Sequence, residues 1–158
     1  MKLTALFPPA YLLFLLVFSG LALPALQAQD AAGDQIIGVW LVQDKDAQVR
    51  IYRAANGLYY GKVHWLQNPN DDNGNPRADV NNPDQALRST PIMGKVIMKD
   101  FRYDPKSKEW VDGSIYQSQT GKTYTGYMVM NADGTLYMKG YVMGMRFLGK
   151  SNIWTRIN

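Results

Sequence analysis

The sequence predicts an all-β fold: a single eight-stranded antiparallel up-and-down barrel. Three observations carry that expectation. From Ile36 onward, apolar residues alternate or run in short bursts rich in Val, Ile, Tyr, Thr and Trp, the pattern of strands buried on one face. Turn chemistry separates the bursts at short intervals, so every strand but one passes into the next through a hairpin. No segment sustains a helical period, and only PDQALRS (83–89) has room for a turn or two of helix. Consecutive long hairpins remove their exposed edges most simply by closing on themselves, and eight strands is a common closure number. A two-sheet sandwich is the alternative arrangement.

The elements follow in order. IIGVWLVQ (36–43) opens the series. QVRIYR (48–53) and LYYGKVHWLQ (58–67) flank AANG, whose Asn56-Gly57 pair suits a tight hairpin. A long polar loop leads to IMGKVIMKDFRYD (92–104), which PKSK joins to EWVDGSIYQSQ (109–119). KTYTGYMVMN (122–131) follows a Thr120-Gly121 turn, and TLYMKGYVMGM (135–145) follows Ala132-Asp133-Gly134. SNIWTRIN (151–158) closes the chain. A barrel of this size is filled by its own side chains or holds one small ligand.

Residues 1–28 read as a secretory signal peptide: a basic start at Lys2, an apolar run from Tyr11 to Phe18, and small residues ending at Ala28. Pro8, Pro9, Gly20 and Pro24 interrupt the stretch, so it is poorly suited to spanning a membrane. Cleavage after Ala28 would leave a periplasmic or secreted domain over residues 36–158 with no membrane span. The 158 residues contain no Cys, which closes the lipoprotein route and leaves the domain without disulfides. Without Lys2 the charge is 16 basic against 13 acidic residues, the basic ones scattered singly. That distribution shows no footprint for a nucleic acid, and none is expected as partner. A monomer is expected.

Gly38-Val39-Trp40 on the first strand and Trp154-Thr155-Arg156 on the last form a pair. Together they resemble the signature of the lipocalin-like (calycin) barrels, in which a terminal-strand Arg packs on a first-strand Trp at the barrel floor. The attraction is that of a guanidinium over an indole face. A longer resemblance covers Gly38 to Arg156. It runs through Ile51-Tyr52, Gly61-x-Val63, Trp65, Asp79, Asn82-Pro83-Asp84, Leu87-Arg88, Pro91-x-x-Gly94, Trp110, Gly113-x-x-Tyr116, Gly121-Lys122-x-Tyr124, Gly140-Tyr141 and Leu148-Gly149. These features are similar to a bacterial family of secreted proteins catalogued as domain of unknown function 2147. Gln117-Ser118 departs from the Asp-Pro that the resemblance leads one to expect. The resemblance implies an exported single-domain β protein and implies no reaction.

The long loop NPNDDNGNPRADVNNPD (68–84) holds four Asp, six Asn and three Pro. Set against a calcium-binding EF-hand with Gly74 as its central glycine, Pro69 and Val80 fall where ligands are required, and the match fails. A looser cation site would use Asp71, Asp72, Asn73 and Asp79. Asn and Asp side chains that bond backbone two residues on, with Pro fixing φ, account for the composition as turn chemistry. Asp79 and Asn82 then cap the loop, and Arg88 either braces it or meets a ligand's anionic head at the barrel mouth.

Catalytic candidates are few. His64 is the only His and Glu109 the only Glu, and no nucleophile motif accompanies them. Neither enzyme activity nor a cofactor or metal is expected. Seven of the eight Met lie beyond residue 92, with Met128 and Met130 on one strand face and Met143 and Met145 on another. They either fill an irregular core or line an adaptable pocket. With Trp65, Tyr116, Tyr124, Met128 and Met138 as lining, the pocket would take a small apolar or amphipathic ligand. The alternative is an envelope protein-interaction module with a filled barrel that uses residues 68–91 as its partner surface.

Overall fold

A computed structural model describes residues 31–142 and 144–157. The segment read as a signal peptide and Met143 lie outside the described residues. Eight antiparallel strands close into a barrel in sequence order. They are β1 (Gly38–Leu41), β2 (Ala47–Arg53), β3 (Tyr59–Leu66), β4 (Val96–Asp104), β5 (Glu109–Gln117), β6 (Lys122–Met130), β7 (Leu136–Val142) and β8 (Met145–Ile157). Among the described residues no helix is long and apolar enough to cross a membrane.

The hairpins form where the turn residues place them. At 54–58, Asn56 accepts a bond from the Leu58 amide through Oδ1 at 3.1 Å. At 131–135, Asp133 accepts from the Thr135 amide at 2.9 Å. Two 3-10 turns accompany the strands. One, Asp34–Ile36, precedes β1 and takes up the start of the first expected strand. The other, Gln85–Leu87, is all that PDQALRS makes of its helical potential.

The last hairpin departs from the sequence expectation. It turns at Gly144, whose φ of 69° favours a residue without Cβ. Consequently β7 stops at Val142, and β8 runs from Met145 through the stretch expected to be a loop. The ladder then jumps. Val142 pairs with Met145 and Tyr141 with Gly149, so Arg146, Phe147 and Leu148 stand against a single step of β7.

One end of the barrel is a packed floor. Ile36, Trp40, Val49, Ile51, Tyr59, Phe101, Trp110, Met128, Leu136 and Trp154 form its buried core, with Met98 and Met138 one layer up. Four glycines on the inward face leave room for that packing. A Cβ at Gly113 would come within 2.3 Å of the Phe101 ring, and one at Gly61 within 2.6 Å of the Met98 sulfur. Gly126 and Gly140 make room in the same way for Ile115 and Tyr124.

Candidate functional site

The floor is tied together by the two ends of the domain. Trp40 and Arg156 are register partners across β1 and β8, and the Arg156 guanidinium carbon lies 4.3 Å from the Trp40 ring centroid. Arg156 also donates to the carbonyls of Ile37 at 2.8 Å and of Gln35. Trp40 Nε1 donates to the Ile36 carbonyl at 2.8 Å, and Trp110 Nε1 to that of Gly33 at 3.0 Å. Gly38 has a φ of 149°, and a Cβ there would sit 2.5 Å from an Arg156 nitrogen. Backbone and space both require the glycine. Trp154 is buried opposite Leu136.

At the other end, the long β3–β4 loop crosses toward β5 and is fastened by one buried carboxylate. Asp79 is fully buried. Lys95 Nζ stands 2.7 Å from it. The Tyr116 hydroxyl donates to both of its oxygens, at 2.7 and 2.9 Å, and the Asn82 amide donates at 2.6 Å. Burial alone would raise the Asp79 carboxyl; Lys95, Asn82 and Tyr116 outweigh it and hold the carboxyl below its usual range. Burial and the Asp79 bond in turn push the Tyr116 phenol up to about 12. Asn81 extends the fastening to the β5–β6 turn, donating to the Gln119 carbonyl at 2.9 Å. Arg88 is exposed, and its Nε donates to the Asn82 carbonyl at 2.8 Å. It braces the loop from within. Asp71 accepts from the amides of Asn73 and Asn75, at 2.9 Å each, and so caps its own turn.

The candidate lining residues divide. Met128 and Met138 pair across β6 and β7 and are both buried. Tyr124 faces inward, its Cβ 3.3 Å from where a Cβ on Gly140 would stand, and it is half-buried. Tyr116 is committed to Asp79. Trp65 does not join the interior. A register shift between Gln48 and Val49 pairs Val63 with Val49 but Trp65 with Gln48, which turns Trp65 to the outward face, 39% exposed.

What lies at the open end is therefore a shallow cup. Ile115, Tyr124, Gly140 and Asn152 are half-buried on the inward face above Met138. Beside it a groove of about 340 Å³ runs beneath the loop, lined among others by Asp46, Leu66, Arg77, Ile92 and Gln119. A second groove, about 420 Å³, lies at the floor end along Ala32, Gln35 and Tyr103. Two cations missed in the sequence share the inward face at the mouth. Lys150 pairs with Gly140, and Lys122 lies two residues from Tyr124 and pairs with Gln117. Both are exposed, and neither has an ion pair among the described residues. Strand alternation from Tyr124 would have found Lys122; Lys150 needed the register of β8.

The closed antiparallel barrel, its packed floor beneath a shallow open end, and the Trp–Arg contact across first and last strands define a lipocalin-like protein. Its fold is similar to that of HP1028 from Helicobacter pylori, a solved structure described as belonging to the lipocalin family. The two share 22% identity, covering 78% of this chain and 83% of that one, with a TM-score of 0.64. The chain belongs to the family DUF2147, described as uncharacterized protein conserved in bacteria, which matches residues 38–156. No curated protein matches it.

Proposed function

We propose that this protein is an exported, non-catalytic binder that takes one small amphipathic molecule at the open end of its barrel. The observation that supports this most is the change along the inward face. Floor residues such as Trp40, Phe101 and Met128 are fully buried, whereas Ile115, Tyr124, Gly140 and Asn152 are half-buried above them. An apolar base with a few polar groups at its edge is the make-up of a small-ligand site. The cup offers Ile115 and Met138 to a tail, the Tyr124 hydroxyl and Asn152 amide to a polar neck, and Lys122 and Lys150 to an anionic head. The likeness to a lipocalin-family structure supports this by analogy of fold.

A non-catalytic role fits the state of the ionisable groups. The carboxylate of Asp79 is saturated by Lys95, Tyr116 and Asn82. His64 lies on the surface, where Arg50 donates to its ring at 3.3 Å.

A fluorescent fatty-acid probe and its uncharged alcohol analogue test the reading. Both should bind, and charge reversal at Lys122 and Lys150 should weaken the acid about tenfold or more while sparing the alcohol. Failure of both probes to bind, with no small-molecule adduct in native mass spectra of protein from its own host, overturns it. Export is tested separately by N-terminal sequencing of protein recovered from periplasm or medium, expected to begin near Gln29. A second reading, with the 68–91 loop as a partner surface, draws on Val80 and Leu87, which are 64% and 43% exposed on a well-braced segment.

A further inference from the structure

The β7–β8 tip combines apolar exposure with exposed lysines at the same end of the barrel. Phe147 is 75% exposed, Leu148 44% and Val142 40%. Phe147 and Leu148 belong to the three-residue bulge, so they project from the ladder instead of packing on it. The bulge is firmly held. Arg146 stacks 3.8 Å from the Tyr127 ring centroid and bonds Glu109 at 2.7 Å. Gly149 lets the chain return, since a Cβ there would lie 2.0 Å from the Gly140 carbonyl oxygen. This is a fixed apolar projection.

Arg146 is neutralised by Glu109, and the cations left beside the tip are Lys150 and Lys122, both exposed. Lys150 and Lys122 stand at the same open end as Phe147.

We propose that this tip docks on an anionic lipid surface, with Phe147 and Leu148 entering the headgroup boundary and Lys150 and Lys122 on the phosphates. A protein partner is the weaker fit. Three protruding side chains offer far less than the roughly 1,200 Å² that a specific protein interface buries. Shallow insertion of a few apolar side chains, with basic residues beside them, suffices for reversible binding to an anionic bilayer. The proposal shares Lys122 and Lys150 with the mouth of the cup, but it rests on Phe147 and Leu148 and does not require a ligand there.

The absence of Cys permits a direct test on the full chain. Leu148→Cys carrying a polarity-sensitive dye is compared with Asn56→Cys, at the opposite end of the barrel, on vesicles of phosphatidylglycerol with phosphatidylcholine and of phosphatidylcholine alone. The dye at position 148 should shift to the blue on the anionic vesicles, weakly on the neutral ones, and the dye at position 56 on neither. In co-flotation Phe147→Asp should lower partitioning about tenfold or more, and Lys150→Glu about fivefold, with salt erasing the lysine effect. All variants share residues 1–30, so differences among them read the tip alone. Equal shifts at positions 148 and 56, no shift at 148, or unchanged flotation of Phe147→Asp with a native thermal transition each overturn the proposal.

Discussion

Trp40 and Arg156 stand directly opposite each other where β1 meets β8, with the guanidinium 4.3 Å from the indole centroid. One side chain fills the floor and the other covers it, so each is held in part by the other. The two are coupled, and the coupling is measurable.

Trp40→Ala should cost about 3–5 kcal/mol, because it empties a fully buried site. Arg156→Ala should cost less, since its losses are a stacking contact and bonds to the Ile37 and Gln35 carbonyls. The double variant should fall short of the sum by about 0.5–3 kcal/mol. Urea denaturation of the four proteins checks this, and strict additivity would mean that the contact contributes nothing.

The Asp79 cluster gives stability a dependence on pH at both extremes. The Asp79 carboxyl is held below its ordinary value in the folded state. Its contribution is therefore present above the unfolded value, near pH 4, and is lost as pH falls through the lower folded one. Tyr116 has the opposite sign. Its phenol is raised to about 12, so its contribution is complete below about pH 10 and disappears as pH rises from there toward 12. Tyr116→Phe should cost about 1.5–3 kcal/mol at neutral pH and flatten the alkaline decline. Denaturant midpoints for both proteins between pH 7 and about 11 decide it.

Phe101 occupies space that only a glycine at position 113 leaves open, since a Cβ there would lie 2.3 Å from the ring. Gly113→Ala should cost about 1–3 kcal/mol through overpacking. Phe101→Leu in the same chain should recover part of that loss, although alone it destabilises. Thermal melts of the single and double variants would show the sign reversal. Its absence would place the strain in the backbone of β5.

Much of the barrel could be read from side-chain alternation and turn residues, because a hairpin with Asn56-Gly57 at its tip dictates its own register. The parts that escaped reading have a common cause. A register shift adds no residue type of its own, so nothing in KVHWLQ announces that Trp65 leaves the inward face. The turn at Gly144 lacks Asn, Asp and Pro, while Leu148-Gly149-Lys150-Ser151 carries turn-like residues inside a strand. Arg88 illustrates a different difficulty. Its sequence neighbours allow both a brace and a ligand contact, and only the position of the Asn82 carbonyl assigns its Nε. Lys150 became visible as a mouth residue only once β8 was paired with Gly140.

Among the described residues the β1–β8 seam joins positions more than a hundred apart through three register pairs: Val39 with Ile157, Trp40 with Arg156, and Leu41 with Thr155. Every other strand pair joins neighbours in the sequence and can form as soon as its own hairpin exists. Closure waits for β8. A growing chain thus carries an unclosed, curling sheet with two free edges until β8 is available, and for that interval it is a template for pairing with other chains. The final strand acts as a clasp, and deleting Thr155 to Ile157 would leave a full set of hairpins that never becomes a barrel.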